Sequence, residues 1–260
     1  MNILYMGDRH NSTAVPPNRT DPDFYATCKN KDMEIMQIAK DNNCKVILQG
    51  GDFWTDSDAK PKNDFIADIA LRWHNAVPVI GVAGNHDLIG NNINSLPFTT
   101  CGLMDKLGFF KLVSKEKPYV IEEDGFKVVI TGTSYHSSMD KPESIDDYIV
   151  KKHLGDIHIH LVHGMLSPKY LGKLIRHTTI DQIASTKADI TLCGHDHIGF
   201  GVIFRNGKYF INPGAVIRLK NDTREMSRTV KVVLISINDR KISINEIPLK
   251  SALPGNVVLS

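Results

Sequence analysis

Five short motifs in this 260-residue chain set glycine beside side chains able to hold a cation: Gly7-Asp8-Arg9-His10, Gly51-Asp52, Gly84-Asn85-His86-Asp87, His163-Gly164 and Gly194-His195-Asp196-His197. Each follows a short apolar run, which places it at the end of a strand, where sites form in α/β sheets. Glycine there lets the backbone turn tightly and lets another group approach closely. Mixed imidazole and carboxylate donors suit zinc, iron or manganese, and the absence of cysteine from the motifs argues against a closed structural zinc site. Open coordination points to catalysis. Two cations about 3.5–4 Å apart can clamp a phosphate, activate a water and stabilise a departing oxygen. Such a pair needs a bridging carboxylate, and Asp52 is the choice.

Any single histidine at a strand end is as readily a solvated or packed group as a ligand. Five motifs together make that reading strained. Of the eleven histidines, five fall inside the motifs; His74, His136, His153, His158, His160 and His177 lack comparable neighbours and read as mostly structural.

The elements that must position these residues are visible as β-branched runs: Ile3 to Met6, Val46 to Gln49, Val79 to Val82, Val128 to Thr131, Ile157 to Val162 and Ile190 to Cys193. Their alternation with helical stretches indicates an α/β layered fold. Phe24, Cys28, Ile35, Met36 and Ala39 can share one helix face. Asp64 to Trp73 reads as a second helix. Beyond His197, the runs Val202 to Phe204, Tyr209 to Ile211, Val230 to Ile237 and Ile242 to Ile247 suggest an antiparallel meander. Asn206-Gly207 is a hairpin turn, since both residues tolerate positive φ, and Asn238-Asp239 is expected to turn the next pair. Asn11 to Asp21 is expected as an exposed loop beside the first motif.

Composition excludes several classes. Hydrophobic residues make up 42% and charged residues 23%, ordinary values for a packed globular chain. No run approaches the roughly 20 apolar residues of a membrane span, and the apolar start is too short for a secretory signal. A net charge of +2 announces no polyanion partner. Cys28, Cys44, Cys101 and Cys193 lie far apart and read as reduced thiols, which places the chain in the cytoplasm. No linker or repeat divides it, so one domain over 1–260 is expected.

The ordered set Asp8-x-His10, Gly-Asp52, Gly-Asn85-His86-Asp87, His163-Gly and Gly-His195-x-His197 resembles the calcineurin-like metallophosphoesterase superfamily, and Asn212-Pro213-Gly214-Ala215 resembles its turn after the last histidine pair. The resemblance implies a four-layer α/β/β/α sandwich of two mixed sheets flanked by helices, with a dinuclear site at strand ends. It further implies that Asp8, His10, Asp52 and His197 hold one cation and Asp52, Asn85, His163 and His195 the other. His86 would contact the phosphate and assist the leaving group as a general acid, with Asp87 orienting it by a hydrogen bond. The family commonly carries an aspartate three positions after the bridging one; Thr55 stands there instead, followed by Asp56.

Pro16-Pro17-Asn18-Arg19, Ile47 to Trp54 and Leu161 to Leu166 look like the SbcD-like DNA exonuclease branch of the superfamily. That kinship implies a manganese-dependent nuclease acting on DNA, with iron, zinc or magnesium as alternative metals, and an SbcC-like coiled-coil ATPase as a partner; a homodimer is a further expectation that the sequence leaves open. The 63 residues after His197 are too few for the capping domain of the larger nucleases. Arg9, Arg19, Lys169, Lys173, Arg176 and Arg218 are candidate DNA contacts, each of which taken alone reads first as a solvated surface cation; phosphate contact would need several acting together. Tyr135 and His136 are candidates to line the pocket, where an aromatic face could stack on a base, and Phe53 and Trp54 are candidates beside the bridging aspartate; all four read first as packing. The same site would serve a phosphodiesterase or phosphatase for small phosphoesters. A scaffold that no longer catalyses is the third reading, disfavoured by retention of every expected ligand.

Overall fold

The computed structural model describes residues 1–57, 68–69, 72–73 and 77–260. The expected helix Asp64 to Trp73 therefore lies for the most part outside the described residues, as do Asp58 and His74. Two six-stranded sheets form the body. The first is built from β1 (Asn2–Met6), β2 (Cys44–Gln49), β3 (Val79–Gly81), β4 (Lys111–Leu112), β13 (Lys231–Asn238) and β14 (Lys241–Pro248), in the order β14-β13-β1-β2-β3-β4. The second contains β5 (Tyr119–Glu123), β6 (Phe126–Thr133), β7 (Ile157–His163), β10 (Ile190–Gly194), β11 (Gly201–Arg205) and β12 (Lys208–Asn212), in the order β11-β12-β10-β7-β6-β5. β8 (Leu166–Ser167) and β9 (Thr178–Thr179) form a small separate pair.

The middle of each sheet is parallel, β1-β2-β3-β4 in one and β12-β10-β7-β6 in the other, with antiparallel strands at the margins. Strands buried on both faces need apolar residues at both parities. In β1, Ile3 and Tyr5 enter the core between the sheets while Leu4 and Met6 face the outer core. Ile157, Ile159 and Leu161 of β7 and Ile190 and Leu192 of β10 meet them from the opposite sheet. The outer core of the first sheet is closed by α1 (Phe24–Asp41) and by α2 (Thr100–Leu107), and that of the second by the 3-10 helix Pro142–Tyr148.

The Asp23 carboxylate accepts from Ala26 N at 2.9 Å and so caps α1. All five residues expected on its apolar face are buried, and so are Lys31 and Asp32 between them. The strands after His197 do not form one meander. β11 and β12 join the second sheet, where β12 runs parallel to β10, while β13 and β14 join the first. Asn206 and Gly207 take φ of 52° and 76° as their turn requires; the later turn falls on Asp239 and Arg240, with φ of 44° and 62°, one residue beyond expectation. The segment Asn11 to Asp21 is only partly exposed: Asn11 and Arg19 are buried. All four cysteines are buried and free.

Candidate metal centre

Every motif follows the carboxyl end of a parallel strand: Asp8 after β1, Asp52 after β2, Asn85 after β3, His163 ending β7 and His195 after β10. The ends of both sheets meet because loops lock across them. His195 N, after β10, donates to the Asp8 carboxylate at 3.0 Å, and Tyr135 N donates to Ala83 O at 2.8 Å; within the first sheet, Asp52 O accepts the N–H groups of Arg9 and His10 at 2.9 and 2.8 Å. The Asn-Pro-Gly-Ala turn holds the back of the site: Ala215 N donates to His197 O at 3.0 Å and Val216 N to Asp8 O at 2.9 Å.

The result is two groups of donors. Asp8, His10, Asp52 and His197 each bring one ligand atom within 4.8 Å of the others, and Asp52, His163 and His195 do the same. Asp52 belongs to both, its Oδ2 lying 3.7 Å from His10 Nε2 and 3.4 Å from His163 Nε2. Asn85 Oδ1 joins the second group, 2.9 Å from His195 Nδ1 and 3.2 Å from His163 Nε2. His163 Nδ1 donates to Gly50 O at 2.8 Å, which aims Nε2 at the centre. His10, Asp52 and His195 hold φ of 47°, 51° and 79°, the left-handed region that side chains avoid unless the surroundings enforce it. A Cβ on Gly84 would stand 2.1 Å from Asp52 Oδ1, and one on Gly194 2.3 Å from Gly50 O. Only glycine fits at these two approaches.

The electrostatics describe a site short of positive charge. Burial disfavours ionisation of Asp52, but the charge and hydrogen bond of His163, then His10 and His86, outweigh it and hold the carboxyl well below its usual range. Asp8 is lowered too, as the His197 hydrogen bond and the His163 charge overcome burial. Those carboxylates in turn raise His163 to about 10 against burial. Burial pushes His10 down to about 3 and, with the charge of His163, His195 to about 4. His10 Nε2 and His197 Nε2 face each other at 3.0 Å while both Nδ1 atoms are buried without a hydrogen-bond partner among the described residues. Lone pairs and carboxylates crowded in this way, with no arginine or lysine among them, fit divalent cations in chemistry and in number of donors.

A family model described as the calcineurin-like phosphoesterase superfamily domain matches residues 1–239. This chain belongs to the calcineurin-like phosphoesterase superfamily. Membership makes it a metallophosphoesterase and implies two divalent cations, for which the two donor groups are the candidates. Solved structures share the fold at low identity. A dimetal phosphatase from Danio rerio matches at a TM-score of 0.57 and 12% identity, over 95% of this chain and 96% of its own. The NAD nucleotidase NadN of Haemophilus influenzae matches at 0.54 and 15%, over 95% of this chain and 49% of its own. GAP50, the anchor in the inner membrane complex of Plasmodium, matches at 0.52 and 14%, over 96% and 89%. No curated protein sequence matches.

Around the centre of this phosphoesterase, the other expected residues divide. His86 is exposed, its N–H donates to Asp52 Oδ1 at 2.8 Å, and its ring lies 4.9 Å from that of His10. Asp87 does not orient it. The Asp87 carboxylate is buried and accepts three backbone N–H groups, from Gly84 at 2.8 Å, Trp54 at 3.1 Å and Phe53 at 3.3 Å, so it joins the second and third motif loops. Burial and the Asp52 charge raise it to about 7. The group that orients His86 is the Thr55 carbonyl, which accepts from its Nδ1 at 2.8 Å, while Thr55 Oγ1 donates to His10 O at 3.0 Å. Thr55 thus gives the departing motif position a role of its own; Asp56 is exposed.

Three expected DNA contacts are corrected, because they face inward. Arg9 is 0% exposed and turned inward to Asp32 and to Cys28 O at 2.7 Å. Arg19 makes two bonds to Asp21, at 2.7 and 2.8 Å. Arg218 donates to the carbonyls of Glu225, Leu253 and Arg228. Tyr135 does face the site, stacked on His195 at 5.8 Å. His136 turns away to Asp147, at 2.8 Å, and lines a separate cavity of about 460 Å³ with Lys115 and Ser134. Phe53 and Trp54 are core residues. Lys169, Lys173 and Arg176 are exposed, with Tyr170 among them. His153, His158, His160 and His177 make structural hydrogen bonds, as expected.

Among the described residues, no helix is long and apolar enough to cross a membrane.

Proposed function

We propose that this metallophosphoesterase hydrolyses phosphodiesters, with DNA as its substrate and manganese as its metal. The observation that carries the reading is Asp52 Oδ2 shared between two donor groups at the mouth of which an exposed histidine stands. Asp8, His10, Asp52 and His197 would hold one cation, and Asp52, Asn85, His163 and His195 the other. Bound there, the pair supplies Lewis-acid polarisation of a phosphoryl group and an activated water.

The chain's own groups supply the rest. His86 Nδ1–H is fixed on the Thr55 carbonyl, so Nε2 is the nitrogen left to hold a proton for the leaving oxygen. The Asp52 carboxylate anchors the His86 backbone, so the acid and the shared ligand are positioned by one residue. Tyr135, stacked on His195, offers an aromatic wall beside the second donor group. DNA is favoured by the segment after His163-Gly164, where Lys169, Lys173 and Arg176 are exposed with Tyr170: cations for phosphates and a ring for a base.

Two assays separate the readings. Manganese-loaded protein is given linear DNA and, in parallel, a small chromogenic diester and monoester. The proposal expects chelator-sensitive loss of DNA. Neutralising Lys169, Lys173 and Arg176 together should slow DNA cleavage and leave small-diester turnover unchanged. Intact DNA beside a hydrolysed small ester would remove the nuclease reading and leave the phosphoesterase. Hydrolysis of neither would favour the scaffold.

A further inference from the structure

A pocket of about 270 Å³ is lined by Arg19, Lys31 and Arg218, with Thr27, Asn30 and Ser251. One residue separates it from the metal centre: Val216 N donates to Asp8 O at 2.9 Å, and Val216 O accepts from Lys31 Nζ at 2.9 Å. Its three cationic side chains come from the loop after β1, from α1 and from the segment after the Asn-Pro-Gly-Ala turn. All three residues are buried: Lys31 is 2% exposed, Arg218 4% and Arg19 6%. Asn30, by contrast, is exposed at its edge.

The charges here do not balance. Arg19 is matched by Asp21. Among the described residues, neither Lys31 nor Arg218 has a carboxylate within ion-pairing distance. Lys31 bonds one carbonyl and Arg218 three; Glu225, whose charge reaches Arg218, is paired with Arg228 at 3.1 Å. Burial first, then the positive charges of Arg19, Arg9 and Arg218, lower Lys31 to about 7. Carbonyl dipoles alone are weak compensation for buried cations, which proteins normally pair with an anion. Lys31 has three N–H donors and a guanidinium five, so both keep donors beyond those already used.

We propose that this pocket is a second, non-catalytic site that binds a phosphate-sized oxyanion between Lys31 and Arg218. The volume admits a tetrahedral oxyanion, and charge-assisted hydrogen bonds from ammonium and guanidinium groups are the chemistry that recognises one. The pocket binds inorganic phosphate without the metal centre, whose donors it does not share.

The test is thermal unfolding of the full chain titrated with inorganic phosphate, against sodium chloride at matched ionic strength. The Asp52→Asn variant disables phosphate binding at the metal centre. In that background phosphate should still raise Tm, by about 2–4 °C for each 1 kcal/mol of binding linkage. Adding Lys31→Gln, which keeps a donor for Val216 O and removes the charge, should abolish the rise; Lys31→Met should do the same, with circular dichroism showing each variant folded. The proposal is overturned if phosphate has no effect in Asp52→Asn, if chloride matches it, or if both Lys31 variants still respond. Failure of both variants to fold would also overturn it, by making Lys31 a structural tie to Val216 alone.

Discussion

Three clusters of buried charge surround the segment Asp8-Arg9-His10, and they differ in how far each balances itself. The Asp32 carboxylate accepts from both Arg9 and Arg72, and Arg72 is also paired to Asp68. The metal centre gathers Asp8, Asp52 and imidazole lone pairs with no lysine or arginine, while the Lys31–Arg218 pocket gathers cations with one carboxylate, Asp21. A cluster that closes on itself is architecture. One left with an excess of either sign needs something from outside, a cation in the first case and, as proposed, an oxyanion in the second.

The largest effect should come from the shared carboxylate. Asp52→Asn lowers the charge of both donor groups at once, and turnover should fall by about 10³-fold or more, since polarisation by the cations contributes several kcal/mol. Elemental analysis after dialysis should find fewer than two metals per chain. Asn85→Ala should remove one metal; unchanged stoichiometry would contradict the division of ligands. Asp32→Asn tests the balanced cluster instead. It leaves Arg9 buried without its only carboxylate among the described residues and Arg72 with Asp68 alone, and should cost about 3–5 kcal/mol of stability in denaturant unfolding, with metal content unaltered in the protein that remains folded. A loss of metal but not of stability would place Asp32 in the site.

His86 and Asp87 are neighbours in sequence with different work. Removing the proton donor in His86→Ala should lower kcat by about 10²–10⁴-fold without unfolding the chain. Asp87→Ala should instead destabilise by about 1–3 kcal/mol for each N–H it leaves unmatched and buried, a loss measured by unfolding. If Asp87→Ala lowered kcat alone, the loop-joining role drawn from its three backbone contacts would fail.

This division also marks how far the sequence could be read. The motifs were legible because a glycine next to Asp, Asn or His after an apolar run states both the strand end and the donor, and α1 because Phe24, Cys28, Ile35, Met36 and Ala39 repeat at helical spacing. What a sequence does not state is direction. Asp87 is adjacent to His86, yet its carboxylate turns inward to Gly84, Trp54 and Phe53. Arg9, Arg19 and Arg218 have the composition of a phosphate-binding surface, and burial is what separates them from Lys169, Lys173 and Arg176. Extended apolar runs between turns identify β11 to β14 as strands but not their sheet, since hydrogen-bond partners across a fold leave no local trace. Thr55 acts partly through its carbonyl, which every residue has.

The smallest effect per unit of perturbation is a pH slope, and it sharpens the contrast between the self-balanced and unbalanced clusters. Lys31 sits at about 7 in the folded chain, below the usual lysine value, because burial and then neighbouring positive charges oppose its proton. A folded value below the unfolded one means that the unfolded chain binds more protons between the two, so stability rises with pH there. Below about 7 both states are charged and the folded chain carries the full cost; from about 7 up to about 10.4, the unperturbed lysine value, that cost is relieved. The slope from this one group is at most about 1.4 kcal/mol per pH unit. Other groups titrate in the same window, so the quantity to measure is the difference between wild type and Lys31→Gln, in phosphate-free buffer. The wild type should gain on the variant as pH rises. Saturating phosphate should flatten that difference, because an oxyanion holds the Lys31 proton in place. A difference that stays flat without phosphate would mean that Lys31 is already compensated, and the pocket would then join Arg9 and Asp32 as part of the architecture.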